Sequence, residues 1–265
     1  MYNIVQAGSR YIKYYFTASN GKGHGIHSPF VFDLVTKILN DHTKYPEYER
    51  AELQRSKLKK DHREIKITDF GAGAVNGSER FSKISAIVRQ TAKSQKYARL
   101  LFRLSRYFQP AKMLELGTSL GVSGSYLALG NPAGKLYTVE GAKEIAAVAG
   151  NTFHDLHLKN IKQYTGRFEN ILPGLLEEMK NVDFAFIDGN HRKEPTIDYY
   201  KKILPYTNES SILIFDDIHW SGGMEYAWEW IKKQPEISLT VDLFYIGLVF
   251  FRKENKFKQN FTIRF

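Results

Sequence analysis

The sequence predicts an α/β fold with a mostly parallel sheet of seven strands, the last of them antiparallel. From residue 111 onward, short apolar runs that are typical of buried strands alternate with helical patterns, as in parallel sheets with crossover helices. The last two apolar runs are separated only by a short turn centred on Tyr245. A crossover helix does not fit in so short a connection, so the final strand pair is expected to be antiparallel.

Each element of this fold follows from a local pattern. Short apolar runs predict strands at residues 112–116, 135–139, 161–164, 184–187, 212–215, 238–244 and 246–252. Apolar positions at helical spacing predict helices between them, at residues 142–158, 169–180, 195–204 and 223–233. Upstream, further helices are predicted at residues 1–20, from the Ser28 cap and Pro29 onward, and at 41–66 and 78–108.

The upstream helices set the predicted domain division. The chain divides into an N-terminal helical extension or lid, residues 1–90, and a main domain, residues 91–265. In the first helix, apolar and tyrosine side chains recur near one face, and we expect that face to pack against the protein. Its members are Ile4, Ala7, Tyr11, Tyr14 and Tyr15.

The composition favours a globular protein of a reducing compartment. The chain has 265 residues and no cysteine, which excludes disulfides, thiolate catalysis and cysteine-based zinc sites. Its first residues lack the basic start and apolar core of a signal peptide, and no apolar run is long enough to span a bilayer. We therefore expect a soluble, cytoplasmic protein without a membrane partner, which could form a homodimer.

The charge of the chain is strongly basic. The formal net charge is +10, which is compatible with an anionic partner such as nucleic acid. The basic residues are dispersed, however, and the densest cluster, residues 55–63, has few interleaved aromatic residues and is interpreted as a solvated helix face. Nucleic acid is therefore the less favoured partner, and a small molecule the favoured one.

Residues 113–129 carry the clearest chemical signal. An apolar strand is followed by Gly117, Gly121 and Gly124, with small hydroxyl residues among them, and then by a helical pattern. Glycine permits positive φ and lets a ligand approach the backbone, and the start of a helix offers unpaired N–H groups. The next strand ends at Glu140, about 20 residues further on, where an acid can accept both hydroxyls of a ribose. The pattern predicts a nucleoside site.

The glycine spacing distinguishes between nucleoside cofactors. Ser119 holds the middle position of what would otherwise be the dinucleotide pattern G-x-G-x-x-G. That middle glycine makes room for a pyrophosphate, which S-adenosylmethionine lacks. S-adenosylmethionine is therefore the predicted cofactor.

Two other glycine-containing stretches are not assigned to the site. Residues 67–77 also contain an acid-x-Gly-x-Gly pattern, but no strand that ends in an acid is predicted after it, so we interpret it as an irregular loop. His24 and His27 lie in a separate glycine loop and are interpreted as surface or capping groups rather than metal ligands.

Acidic residues follow two of the later strands. Asp188 comes directly after the apolar run 184–187, and Asp216 and Asp217 follow the run 212–215. The carboxyl ends of parallel strands face the ligand crevice, so we expect these acids beside the glycine turn. Three carboxylates at one place repel one another unless a divalent cation such as Mg²⁺ holds them. The alternative is that they cap the helices that follow.

Together, these motifs resemble those of class I S-adenosylmethionine methyltransferases. The resemblance rests on the glycine turn, on Glu140, on Phe-Ile-Asp-Gly-Asn-His at residues 186–191 and on Phe-Asp-Asp-Ile-His-Trp at residues 215–220. It is strongest with the catechol and caffeoyl-CoA type of O-methyltransferase and covers about residues 90–252. It implies a Rossmann-like methyltransferase sheet.

The resemblance also implies a set of site residues. Arg167 or Phe168 would lie beside the adenine, and the family's general-base lysine falls on His191. Asp217 stands where the family has asparagine, and Arg167 where many relatives carry an acid. The implied cation ligands are Asp188, Asp216 and Asp217. The implied cofactor contacts are Glu115, Gly117, Thr118, Ser119, Gly121, Ser123, Glu140, Gly141 and Asp188.

These observations predict an S-adenosylmethionine-dependent O-methyltransferase that acts on a small hydroxylated acceptor, assisted by a divalent cation. His191 and Asp188 are the predicted catalytic residues, because histidine side chains exchange protons near neutral pH and a metal-bound hydroxyl loses its proton more easily. Two alternatives stay open: methylation of RNA or protein, suggested by the net charge, and a non-catalytic cofactor-binding module, suggested by the departures at Asn190, His191 and Asp217.

Overall fold

The computed structural model describes residues 1–23, 25–69 and 78–265. His24 lies outside the described residues, as do residues 70–77, which make up most of the acid-x-Gly-x-Gly stretch at 67–77. The chain divides into two compact units. We call Met1–Asp41 with Lys180–Phe265 the terminal unit and His42–Met179 the central unit. The boundary predicted at residue 90 stays a prediction.

The described residues form ten α-helices and ten strands. The helices are α1 (Ile4–Thr17), α2 (Pro29–Asp33), α3 (Pro46–Lys60), α4 (Ile84–Thr91), α5 (Gln95–Phe108), α6 (Val122–Gly130), α7 (Lys143–Asp155), α8 (Phe168–Met179), α9 (Lys193–Ile203) and α10 (Gly222–Lys232). A π-helical stretch (Leu34–Leu39) continues α2, and a 3₁₀ turn (Leu204–Tyr206) follows α9. The strands are β1 (Glu64–Asp69), β2 (Ser78–Lys83), β3 (Lys112–Leu116), β4 (Lys135–Glu140), β5 (Ile161–Thr165), β6 (Phe184–Ile187), β7 (Ile212–Asp216), β8 (Leu239–Asp242), β9 (Ile246–Phe250) and β10 (Gln259–Thr262).

The central unit holds three parallel strands in the order β3-β4-β5. The register pairs Leu116 with Val139, and Val139 with Tyr164. The carboxyl ends of these strands therefore lie side by side, and the loops that leave them meet at one edge. β3 is buried along almost its whole length, which is why it reads as an apolar run in the sequence.

The terminal unit combines parallel and antiparallel pairs. β6 and β7 are parallel, and β9 runs antiparallel to both β7 and β8. This confirms the predicted α/β fold with a mostly parallel sheet and an antiparallel last pair. The strands from β3 to β9 lie close to their predicted bounds. β10, which pairs in parallel with β8, was not expected because its sequence, Gln-Asn-Phe-Thr, lacks an apolar run.

The prediction of a long helical region without a β run over residues 78–108 was wrong for its first six residues. Residues 78–83 form β2, which pairs antiparallel with β1, and α4 and α5 follow as separate helices. The register pairs Glu64 with Lys83 and Lys66 with Phe81, so the partner strand supplies the backbone hydrogen bonds. Strand formation there depends on a partner rather than on local apolar alternation, and that partner is not visible in the local sequence.

The packing of α1 also differs from the expectation. Asn3 and Gln6 form a capping box at its start, and Tyr14 is buried against the terminal unit, where its hydroxyl donates to the Ile263 carbonyl at 2.5 Å. Ile4, which was expected on the packed face, is 92% exposed. Within the described residues, no helix combines the length and the apolar character needed to cross a membrane.

Candidate active site

The turn after β3 has a tightly constrained backbone. The Gly117 and Thr118 N–H groups both donate to the Val139 carbonyl, at 3.0 and 3.2 Å, which fastens the turn to β4. Gly117 has φ 105° and Gly121 has φ 81°, a region that glycine enters without steric cost. A Cβ on Gly121 would also lie 2.8 Å from the Phe153 ring. The sequence folds this way locally because glycine stands at both positions.

Beneath this turn lies a buried polar chain. Glu115 is fully buried, and its carboxylate accepts hydrogen bonds from Ser123 at 2.7 Å and Thr138 at 2.6 Å. Thr138 donates its only hydroxyl proton to Glu115. The Thr118 hydroxyl oxygen lies 2.5 Å from that of Thr138, so Thr118 donates to Thr138. Gly124 leaves the necessary space, because a Cβ there would lie 2.7 Å from the carboxylate. These side chains brace the turn, and their direct contact with a cofactor stays a prediction.

Glu140 is oriented by the backbone around it. One carboxylate oxygen accepts from the Ser119 N–H at 2.8 Å, and the other accepts from the Ala142 N–H at 3.0 Å. Ser119 has φ 47°, a left-handed conformation that points its N–H at the acid. The predicted ribose-binding acid therefore lies next to the glycine turn, as the sequence suggested.

The loop after β5 completes this edge of the central unit. The Gly166 N–H donates to the Glu140 carbonyl at 2.9 Å, and Gly166 has φ 149°. Arg167 is exposed, and Phe168 is half-buried at the start of α8. The structure thus gathers at one edge most of the predicted cofactor residues: Gly117, Ser119, Gly121, Glu140, Gly141, Arg167 and Phe168.

Sequence reasoning missed Thr91 at this edge. It is the last residue of α4, and its hydroxyl lies 2.8 Å from the Ser119 hydroxyl. No motif marks Thr91, since a polar residue at the end of a helix is common. Only the tertiary fold brings it to the glycine turn.

In the terminal unit, Asp188, His191 and Asp216 converge. Each offers one ligand atom, and these three atoms all lie within 4.8 Å of one another. His191 Nε2 is 3.5 Å from Asp188 Oδ1, and Asp216 is almost fully buried at 1% exposure. β6 and β7 are neighbouring parallel strands, so the residues after them are brought together at one end. Two carboxylates and one imidazole are chemically suited to a divalent cation.

The third member of this group differs from the sequence prediction. His191 stands where Asp217 was expected, and Asp217 Oδ2 lies 4.0 Å from His191 Nδ1. Asn190, His191 and Asp217 have φ of 68°, 35° and 52°, respectively. Non-glycine residues in this region cost on the order of 1–3 kcal/mol each and cluster at functional sites. Residue type alone does not reveal this backbone geometry.

The loop after β7 is held by a second polar cluster, which the sequence did not reveal. His219 Nε2 lies 2.9 Å from Asp242 Oδ2, and His219 Nδ1 lies 3.3 Å from Glu225 Oε1. The His219 ring stacks on Phe244 with centroids 5.1 Å apart. The Trp228 indole N–H donates to the same Asp242 oxygen at 3.2 Å. We call His219, Glu225, Asp242 and Trp228 the His219 cluster.

The His219 cluster predicts a pH-dependent stability. Burial lowers the pKa of His219, but the hydrogen bonds and charges of Asp242 and Glu225 outweigh burial, so its pKa is raised above 6.5. A histidine whose pKa is higher in the folded state than in the unfolded state stabilises the fold fully at pH values below its unfolded-state pKa. This stabilisation is lost as the pH rises through its folded-state pKa. We therefore expect the free energy of unfolding to fall as pH rises from about 6 upward. Urea unfolding of wild type and His219→Gln across this range measures it, and equal pH slopes in the two proteins would contradict it.

Comparison with known proteins agrees with this geometry. Residues 114–218, which run from β3 to the loop after β7, match the model of a family described as a methyltransferase domain. The chain carries a methyltransferase domain. Its fold is that of S-adenosylmethionine-dependent methyltransferases, including O-methyltransferases, as three solved structures illustrate.

The O-methyltransferase TomG from Streptomyces achromogenes, solved with S-adenosylmethionine, is 18% identical with a TM-score of 0.57, over 79% of this chain and 91% of that one. The O-methyltransferase from Bacillus cereus, solved with S-adenosylhomocysteine, is 19% identical with a TM-score of 0.56, over 83% and 97%. The methyltransferase PaMTH1 from Podospora anserina, solved with S-adenosylhomocysteine, is 15% identical with a TM-score of 0.59, over 85% and 97%. At these identities the likeness shows the fold alone.

Two curated relatives match shorter stretches. A tRNA (guanine-N(7)-)-methyltransferase of Mycoplasma mobile is 31% identical over 101 residues, which is 35% of this chain and 50% of that protein. The uncharacterized protein R132 of Acanthamoeba polyphaga mimivirus is 28% identical over 76 residues, 28% of this chain and 31% of that protein. The matches span between about a third and half of the length of these relatives.

Proposed function

We propose that this methyltransferase domain transfers the methyl group of S-adenosylmethionine to a hydroxyl of a small acceptor, assisted by a divalent cation. The observation that carries the proposal is the convergence of Asp188, His191 and Asp216, whose ligand atoms lie within 4.8 Å of one another. A cation at these ligand atoms would assist a hydroxyl acceptor, because the hydroxyl must lose its proton as it reacts.

The edge of the central unit supports the cofactor assignment. Glu140 would accept the ribose hydroxyls, since its carboxylate is already fixed by two backbone N–H groups. Gly117 and Gly121 carry no side chain at the two ends of the turn, which suits the close approach of a ligand to the backbone. Phe168 would provide a flat apolar surface for an adenine. When bound, S-adenosylmethionine supplies an electrophilic methyl group on a sulfonium.

The donor atoms of this group support the cation assignment, but they change which metal ion is favoured. Asp188 and Asp216 offer carboxylate oxygens, which suit Mg²⁺, Ca²⁺ and Mn²⁺ alike. An imidazole from His191 in the same set favours Mn²⁺ or another transition metal over Mg²⁺. When bound, the cation supplies a positive charge that makes a hydroxyl more acidic.

His191 has two roles open to it, and the residues around it bear on both. As a ligand, it would use Nε2, the nitrogen nearer Asp188, and Asp217 would orient the ring from the Nδ1 side. As a general base, it would use the same nitrogen to take the acceptor's proton. One nitrogen cannot do both at once. Cation affinity of His191→Asn distinguishes the roles, because only a ligand loses affinity.

The proposal is tested by methyl transfer from S-adenosylmethionine to a panel of phenols and vicinal diols, followed by mass spectrometry. We expect a methyl ether as product and S-adenosylhomocysteine as by-product, with activity lost in chelator and restored by Mn²⁺ or Mg²⁺. Absence of calorimetric S-adenosylmethionine binding to the wild-type chain would sink the proposal as a whole. Full activity in chelator would remove only the cation.

A second candidate, methylation of RNA, is favoured by two observations. One curated relative is a tRNA methyltransferase, and it matches at 31% identity. The central unit carries 22 lysines and arginines against 14 aspartates and glutamates, so most of the net positive charge lies there. Phosphate contacts make binding strongly salt-dependent. A tRNA gel shift that weakens with salt, together with methylated nucleoside in the digest, would favour this function.

A further inference from the structure

The outer face of α1 carries large apolar side chains that the terminal unit leaves exposed. Ile4, Val5, Ile12 and Phe16 are 92%, 79%, 58% and 78% exposed, respectively. Isolated exposed apolar residues are ordinary, but a continuous set is not, and such sets mark interaction surfaces.

These residues lie on one side of the helix. At 3.6 residues per turn, they fall within an arc of about 120° around α1 in which the helix itself carries no charged side chain. We call this arc the outer face of α1. Its exposed members are Ile4, Val5, Gly8, Ile12 and Phe16. Tyr15 borders this face under the Arg264 guanidinium, and Tyr11 packs edge-on against Phe244.

Gly8 lies near the centre of this face. A Cβ built on Gly8 would meet nothing within 4 Å among the described residues, so no packing in that part of the chain explains the glycine. Glycine also weakens an exposed helix relative to alanine. A shallow indentation in the middle of an apolar helix face fits the backbone of a second helix, whereas a flat lipid surface gains nothing from it.

We propose that the outer face of α1 binds the same face of a second copy of this chain, with the two helices crossing at Gly8 about a two-fold axis. A two-fold contact needs one self-complementary patch, and an uncharged apolar face fulfils this condition. The four large exposed side chains of this face offer on the order of 500 Å² per copy, or about 1,000 Å² in total, which is the lower end for a specific interface and fits a reversible dimer. This proposal does not depend on the proposed function.

The inner side of α1 connects this contact to the loop after β7. The Tyr2 hydroxyl donates to Glu225 at 2.7 Å, and Arg10 Nε donates to the same carboxylate at 2.8 Å. The Tyr2 N–H donates to the Trp220 carbonyl at 3.1 Å. Glu225 also contacts His219. A second copy on the outer face would therefore hold α1 against the loop that follows Asp216.

Sedimentation velocity of the full chain at several concentrations tests the proposal. We expect a reversible dimer in the wild type. For Ile12→Asp and Phe16→Asp, we expect the dimer dissociation constant to rise at least about tenfold, because a charge placed in an apolar contact opposes association. Phe257→Asp is the matched control, because Phe257 is 81% exposed but lies outside α1, and it should leave the dimer unchanged.

The variant Gly8→Leu distinguishes a specific helix crossing from nonspecific apolar association. It adds apolar surface and helix propensity, yet we expect it to weaken the dimer, because the added side chain holds the two backbones apart. A wild type that stays monomeric at the highest concentration would overturn the proposal. So would tighter self-association of Gly8→Leu, or an unchanged dimer in Phe16→Asp. Binding to lipid vesicles that Gly8→Leu strengthens would assign the face to a membrane instead.

Discussion

Replacing Asp216 by Asn is expected to remove cation binding and to reduce methyl transfer by about 100-fold or more, while the fold persists. Asparagine keeps the size of the side chain and one oxygen but removes the negative charge that holds a divalent cation. Asp216 is buried at the end of β7, within the group formed with Asp188 and His191. Solvent therefore cannot compensate for the loss of its negative charge. Calorimetric Mn²⁺ titration and methyl transfer rates measure the two effects.

Asp198→Asn is the matched control for this experiment. Asp198 lies on α9 and forms an ion pair with Lys202 at 2.7 Å, with about half of its side chain exposed. We expect its loss to leave both Mn²⁺ affinity and rate unchanged, because exposed pairs contribute little. If Asp216→Asn binds Mn²⁺ as tightly as wild type, the cation site is not where we place it. Unchanged melting temperatures in both variants would show that the effect is local.

Glu140→Gln is expected to weaken S-adenosylmethionine binding by about 10–100-fold, which corresponds to about 1.4–2.8 kcal/mol. The glutamate carboxylate accepts from the Ser119 and Ala142 N–H groups at the same time. Glutamine has only one acceptor oxygen, so its NH₂ group must face one of these N–H donors, and the side chain turns away. The ribose hydroxyls then lose their oriented partner.

Calorimetry with S-adenosylmethionine and S-adenosylhomocysteine measures this effect. Glu144→Gln is the control, because Glu144 lies in the first turn of α7, four residues further on, and carries the same charge. Wild-type affinity in Glu140→Gln would show that the acid braces the turn without contacting the cofactor. Equal losses in both variants would indicate a general effect of charge on binding.

The strands were predictable because buried parallel strands read as apolar runs. β3 and β6 have the bounds expected from the sequence, and β4, β5 and β7 are each one residue longer. The hairpin of β1 and β2 was not predictable in the same way. Its residues alternate weakly, and only pairing across the hairpin makes them strands.

The residue types of the candidate site were predictable from the sequence, but which of them the fold brings together was not. The glycine turn, Glu140, Asp188 and Asp216 are recognisable from residue type and position after a strand. The position of His191 within the cation group depends on a left-handed backbone at Asn190 and His191, which sterics disfavour and which no local pattern announces. That the cofactor edge and the cation group serve a single reaction stays a prediction.

By itself, the sequence determined the order of the strands from β3 to β9 and of the helices between them, the position of the glycine turn, and the acids at the ends of β4, β6 and β7. These features depend on periodicity and on residue type, which are local. The tertiary structure decided which donors meet, that Glu115 is a buried brace, that Thr91 reaches Ser119, and that α1 turns an apolar face outward. These features depend on contacts between residues distant in the chain, whose distances and burial are set only when the strands and helices pack together.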